Sequence, residues 1–445
     1  MSSGAHARAI LLLGLPLVGG HVAQFAIGMT DTIMLGWYGA LELAGVTLAG
    51  SYFFTLFLLG SGFAFAVMPL VAAAAGSGED RQVRRATRMG LWLSLLFGVF
   101  AMPLMLWSKP ILLLLGQEED VTDIAAQYLR VAGWGIFPAL LVMAIKSYLA
   151  ALERTQIVLW ITVTAALVNV LCNYSLIFGN WGATELGILG AAIASLVTQA
   201  VSLIFVVVYA LKVLPEHELL KNFWKPDPEM FTQVFKLGLP IGLTNLSESS
   251  LFAASAIMMG WLGTIPLAAH GVVVSLAGLT FMVHLGLSNA ATIRAGNAFG
   301  RRDRDHLQRG TQVVTVLSLG MSVVAILVFV IFPEQLIGLF LDPSEPERDA
   351  ILAVGVGLLV VAALFQMVDG LQAIALGVLR GVQDTAVPMA MAAISYWVLG
   401  IPVSYFLGFV LELGGVGVWL GLVTGLGCAA VLLMTRFWGS VLRSI

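Results

Sequence analysis

Residues 235–263 read FKLGLPIGLTNLSESSLFAASAIMMGWLG, an apolar stretch long enough to cross a bilayer, with one carboxylate, Glu248, near its middle. An acidic side chain at that depth costs about 2.5 kcal/mol or more, and such groups mark ion or substrate pathways. The stretch also has a twin. Residues 13–46 align without a gap with residues 237–270 at an offset of 224, sharing LGLP at the start, Ile-Met-x-Gly-Trp-x-Gly in the middle and Leu-Ala near the end. The chain is therefore an internal duplication.

Working outward, the 445 residues are 59% hydrophobic and 11% charged, with a mean hydropathy of +0.97. Soluble domains carry about 25% charged residues, so this composition excludes one. Twelve apolar stretches, from 9–36 to 414–437, reach the length of about 20 residues that a membrane helix needs. The first is too long, and lacks too clearly a small-residue cleavage site, to be a signal peptide, and is read as a transmembrane helix. The two cysteines, Cys172 and Cys428, fall inside apolar segments and are read as packing residues.

Of the 22 lysines and arginines, all but Lys109, Arg130 and Arg348 fall on one side when the N-terminus is placed inside. Cytoplasmic loops retain positive charge, so both termini are expected in the cytoplasm. The one clear break in the hydrophobic pattern is the proline-containing segment 212–230. The expected organisation is an N-lobe over 1–213 with helices one to six, a cytoplasmic linker over 214–230, and a C-lobe over 231–445 with helices seven to twelve. The offset spans an even number of helices. The fold class is accordingly all-α polytopic: two homologous six-helix bundles related by a pseudo-two-fold axis along the membrane normal.

Of the 25 acidic residues, Asp31, Glu248 and Asp369 alone resist assignment to loops, helix ends or the interface. No lysine or arginine is expected at comparable depth to neutralise them. Glu248 shares a helix face with Asn245, and Asp369 is flanked at three residues by Gln366 and Gln372, so each acid lies on a polar stripe. In the first half His21, Gln24 and Asp31 share a face of helix one, and Asn169 and Asn173 are one turn apart in helix five. Ser195, Thr198 and Ser202 form a weaker stripe, of the kind that more often holds helices together. Gln24 occupies the repeat position of Glu248, and Ser255 that of Asp31, so the halves place their acids at different levels. His270 and His284 read as hydrogen-bonded packing residues or proton carriers. The 24 phenylalanines and 17 methionines suit a broad apolar pocket, although a lipid-facing protein needs them everywhere.

No GxxxxGK[ST] loop is present to bind ATP, and no HExxH or GxGD pattern offers an intramembrane protease site. Energy must then come from elsewhere. A buried carboxylate holds a proton, a metal cation or a cationic substrate in competition, because burial disfavours its charged form and a nearby cation restores it. Alternating exposure of such a group to the two sides couples inward ion flow to outward substrate movement.

Four stretches carry a family resemblance: TDTIMLGWYG at 30–39, LVNVLCNYSLIFG at 167–179, LGLPIGLTNLSE at 237–248 and MVDGLQAIALGVLRGVQDTAVPM at 367–389. Together they resemble the multidrug and toxic compound extrusion (MATE) transporters, NorM-like branch, over nearly all twelve helices. The resemblance implies a non-enzymatic antiporter, without cofactor or ATP, that exports organic cations in exchange for H+ or Na+ through a cavity between two lobes. Glu248 and Asp369 then match the C-lobe acids, with Asn245, Gln366, Gln372, Phe281 and Phe365 around them. Asp31, Asn169, Asn173 and Ser195 match an N-lobe polar site, to which Gln24 and Thr198 are added. Na+ is expected either at Glu248 and Asp369 or at Asp31, Asn169 and Asn173. The chain departs from sodium-coupled relatives at Phe365 and near Phe281, where they often carry tyrosine, which favours protons at the C-lobe site; His284 stands where relatives often have proline.

The expected partners are small organic cations and the lipid bilayer, with no nucleic acid; a monomer in a bacterial cytoplasmic (inner) membrane is expected. Competing readings are a flippase for lipid-linked precursors, which calls for basic residues at mid-membrane, an intramembrane enzyme, and a non-transporting scaffold.

Overall fold

The computed structural model describes all 445 residues, Met1–Ile445. Helix follows helix without a strand. The long ones in the first half are α1 (Ser3–Tyr38), α2 (Ala40–Gly76), α3 (Asp80–Leu106), α4 (Glu119–Ala151), α5 (Thr155–Phe178) and α6 (Ile188–Val213). The second half has α7 (Pro228–Leu262), α8 (Thr264–Arg301), α9 (Arg304–Ile331), α10 (Arg348–Gly381), α11 (Ala386–Val410) and α12 (Gly415–Ser444). Eleven of these are long and apolar enough to cross a membrane by length and composition, and α7, 35 residues long, carries the stretch with Glu248. At about 1.5 Å per residue, such helices exceed the ~30 Å of a hydrocarbon core and must tilt or project.

The chain forms two compact units, and their boundaries differ from the lobes expected around the linker. One unit is Gly19–Gly242; the other joins Met1–Val18 to Leu243–Ile445. Each boundary lies two residues beyond a proline inside a helix, Pro16 in α1 and Pro240 in α7. Proline removes a backbone hydrogen bond and bends the helix at that point.

In the Gly19–Gly242 unit, α2 packs on α3 and α4, and α5 packs on α6. The start of α7 belongs here because Gly238 and Gly242 lie directly against Gly62 of α2, where any Cβ would meet backbone. Phe235 stacks on Phe63 with ring centroids 5.6 Å apart. The segment between α6 and α7 is docked on the same unit. Tyr148 Oη and His217 Nδ1 are 2.9 Å apart, Trp92 Nε1 donates to the Phe223 carbonyl at 2.7 Å, and Arg85 grips Asp227 through two bonds of 2.6 and 2.9 Å. The Arg85 guanidinium holds the Asp227 carboxyl down to about 2.

In the other unit α10 is central, packed on α8, α9 and α12. Its face toward α8 and α9 is cut by Gly370, Gly377 and Gly381, opposite His284, Ser288 and Thr292. Ser288 Oγ donates to the Ala373 carbonyl and Thr292 Oγ1 to the Gly377 carbonyl, each at 2.7 Å. Small residues let the backbones approach, and the hydroxyls use the freed carbonyl faces. The first turns of α1 join this unit through Gly14 against Ala290 and Val18 against Gly286. Arg294 Nη2 also lies 3.2 Å from His6 Nδ1 and 2.9 Å from His306 Nε2. Helix α11 is interrupted by π-helical turns at Ile394–Gly400 and Phe406–Val410.

Candidate functional site

Helices α7, α10 and α11 bring one polar cluster together in the unit that contains α10. Asp369 is 2% exposed and lies within electrostatic reach of Glu248, which is half-buried on α7. Gln372, one turn further along α10, hydrogen-bonds the Glu248 carboxyl group and donates through Nε2 to Tyr396 Oη at 2.5 Å. Tyr396 lies in the first π-helical turn of α11 and is fully buried.

Arg380 completes the cluster. Its Nη2 donates to Asn245 Oδ1 at 3.1 Å, and its charge acts on Glu248. The sequence puts Arg380 at the end of the tenth apolar span and leads one to expect no basic group near the acids; the helix end agrees, and the structure corrects the second expectation. The reason is geometric: α10 continues to Gly381, and side chains on a helix lean toward its N-terminus, so Arg380 reaches back along α10.

The remaining expected residues divide. Gln366 Oε1 accepts from Thr280 Oγ1 of α8 at 2.7 Å, and its carbonyl accepts from Ser322 Oγ at 3.3 Å. Phe365, 1% exposed, lies edge-on to Phe252 and Trp419, with centroids at 5.9 and 5.5 Å. It is a packing residue. Phe281 is half-buried on α8. Trp419 Nε1 donates to His270 Nδ1 at 3.0 Å, and His284 Nδ1 lies 2.9 Å from Ser318 Oγ, so each histidine has one hydrogen-bonded ring nitrogen.

A second polar cluster lies in the Gly19–Gly242 unit. Asn173 Nδ2 donates to Asp31 Oδ1 at 2.6 Å and to Asn169 Oδ1 at 3.3 Å, with both asparagines buried. Tyr128 of α4 stands near Asp31, and its Oη is 3.2 Å from Ser195 Oγ. Ser195 thus joins the cluster through a tyrosine that the sequence stripes did not include. Thr198 does not join: its hydroxyl donates to the Ala194 carbonyl at 2.8 Å, the pattern of a side chain satisfied within its own helix. Gln24 is exposed on α1, and no contact ties it to Asp31.

Both clusters keep buried oxygen acceptors that make no hydrogen bond: Asp369 Oδ1 and Gln372 Oε1 in the first, Asn173 Oδ1 in the second. Buried polar atoms are nearly always satisfied, so the Asp369 carboxyl suits a proton, and all three oxygens suit a donor or a hard cation.

The MatE family model matches residues 16–175 and 240–406, one stretch in each half, beginning at equivalent repeat positions. The chain belongs to the MatE family. The "Probable multidrug resistance protein NorM" of Rhizobium meliloti is 44% identical over 97% of this chain and 93% of its own length. A protein of the same name from Synechocystis is 37% identical over 99% of this chain and 96% of its own. Among solved structures, a MATE transporter in the bent conformation aligns with a TM-score of 0.88 at 20% identity, covering 100% of this chain and 99% of the other. The outward-facing conformation of a multidrug resistance MATE family transporter aligns at 0.88 and 22%, covering 99% and 97%. These two likenesses establish the fold of this MatE member.

Proposed function

We propose that this MatE protein is a secondary antiporter that exports amphipathic organic cations, drugs and dyes among them, in exchange for H+ or Na+ by alternating access. The supporting observation is the cluster of Glu248, Asp369 and Arg380. Two neighbouring carboxylates cannot both ionise without cost, and one guanidinium offsets one of them. The remaining acid is matched by a single proton or a single organic cation, which is the competition an antiporter needs. Gln372 and Tyr396 keep the acids oriented while the occupant changes.

The C-lobe pair is assigned to protons, because Phe365 and Phe281 offer no hydroxyl where a sodium site would use one. The oxygen set of Asp31, Asn169 and Asn173 is the second coupling candidate. The transport halves are taken as 1–213 and 231–445, acting as a monomer without ATP in a bacterial inner membrane, with both termini cytoplasmic. The flippase reading gains little from the structure, since Arg380 is already committed to Asn245 and Glu248.

In proteoliposomes with separately imposed pH and sodium gradients, Glu248→Gln and Asp369→Asn are expected to insert normally and to lose ethidium efflux. Efflux at the wild-type rate from both variants defeats the assignment. Asp31→Asn is expected to weaken the dependence of transport on the imposed gradient. Unchanged transport across the whole range of pH and sodium removes Asp31 from the mechanism.

A further inference from the structure

Lys146, one of the basic residues counted on the cytoplasmic side, lies within α4, and its surroundings differ from those of Arg380. It stands about a turn and a half before the end of α4, and its Nζ donates to Thr162 Oγ1 of α5 at 2.8 Å. The Thr162 hydroxyl donates in turn to the Val158 carbonyl at 3.0 Å, so toward Lys146 it acts as an acceptor. On the third side is α1, where Gly20 leaves room beside Thr162 and His21 lies within electrostatic reach of the ammonium. Lys146 is half-buried and forms no ion pair with an Asp or Glu side chain. The acid of this unit, Asp31, is engaged by Asn173 and Asn169 instead.

An ammonium group has three hydrogens to donate, and Thr162 takes one. Charged groups withdrawn from water are nearly always paired, because the desolvation cost is otherwise uncompensated. Lys146 remains partly exposed, so a ligand atom can reach it.

We propose that Lys146, with Thr162 and His21 beside it, is an anion subsite that takes the carboxylate of amphipathic zwitterionic substrates. One ammonium matches a monoanion; a pyrophosphate would leave uncompensated charge. A small free anion holds its hydration shell too strongly to leave water for a site inside the spans, whereas a carboxylate carried on an apolar body is brought there by the burial of that body. The physiological meaning rests on the export reading, but the subsite itself is tested by binding.

The probe is a xanthene dye with a free carboxylate, compared with its methyl ester, which is a plain cation of the same shape. Fluorescence anisotropy is read on the purified, detergent-solubilised full chain. Loss of a hydrogen bond to a charged group is worth about 1.5–3 kcal/mol, or roughly ten- to a hundredfold in Kd. Lys146→Met is therefore expected to weaken the acid dye by at least about tenfold and to leave the ester unchanged, and Lys146→Arg to retain most of the acid-dye affinity. Equal weakening of both dyes assigns Lys146 a structural role and overturns the proposal, as does no weakening of either, or failure of the wild type to bind the acid dye. Replacement of chloride by gluconate is expected to change neither affinity. A change for the acid dye alone shows that small free anions occupy Lys146 and overturns the assignment to a carboxylate carried on an apolar body. Failure of the export reading would show separately, as binding without efflux.

Discussion

Phe365 stands one turn before Asp369, yet its ring is enclosed by Phe252 and Trp419. Phe365→Tyr therefore places a hydroxyl among aromatic rings. It is expected to lower stability by about 1–3 kcal/mol, the cost of a poorly paired buried hydroxyl, without conferring sodium dependence. Thermal unfolding in detergent and transport under a sodium gradient check the two halves of that expectation. At this scale the acids were legible, because a charge inside an apolar stretch has few bland explanations. Arg380 was not, because a cation near a helix end reads as a loop anchor, and its direction depends on the helix it belongs to. Tyr396 was hidden for another reason. It lies in an apolar run, ISYWVLG, and its approach to Gln372 occurs within a π-helical turn for which the sequence carries no plain signal.

Among the elements, α8 and α10 depend on a row of glycines that lets Ser288 and Thr292 reach the opposite backbone. A side chain at Gly377 would run into Ser288, so Gly377→Val is expected to push the helices apart and to destabilise the protein by about 1–3 kcal/mol. Because α10 also carries Asp369 and Gln372, the same substitution is expected to reduce efflux in the protein that still folds. A shifted melting temperature without any change in transport at low temperature would disconnect the packing from the site. The helices were readable from the lengths of the apolar runs, since nothing else accounts for so many of them. Their pairing was not, because a glycine in a membrane helix is common, and only a facing backbone shows which one is used.

For the molecule as a whole, the duplication was readable from LGLP and Ile-Met-x-Gly-Trp-x-Gly, while the composition of the compact units was not. The linker looked like the divide because prolines and charges interrupt the apolar pattern there. It is instead bound to the Gly19–Gly242 unit, with Asp227 held by Arg85 at 2.6 Å and by Arg88 at 3.5 Å. Since Asp227 titrates below the usual carboxylate range, its contribution to stability is present above the ordinary value near 3.8 and is lost as pH falls toward about 2. Linker protection, read by limited proteolysis after lysine with an acid-stable quench, is expected to be insensitive to pH from neutrality to about 4. Lys221 and Lys225 are already at the surface, and Asp227→Asn is expected to speed cleavage after them at neutral pH relative to the wild type, by loosening the backbone around them.

The two unit boundaries, after Val18 and after Gly242, are separated by the repeat offset itself. Each half of the gene therefore lends its opening segment to the body built mainly by the other half. Removal of the linker would leave 1–213 and 231–445, neither of which holds a whole unit. Each half cut within the linker lacks a piece of its own body; expressed together they are expected to copurify, and expressed alone to be degraded. The two ancestral copies have thereby become mutually dependent parts of one fold.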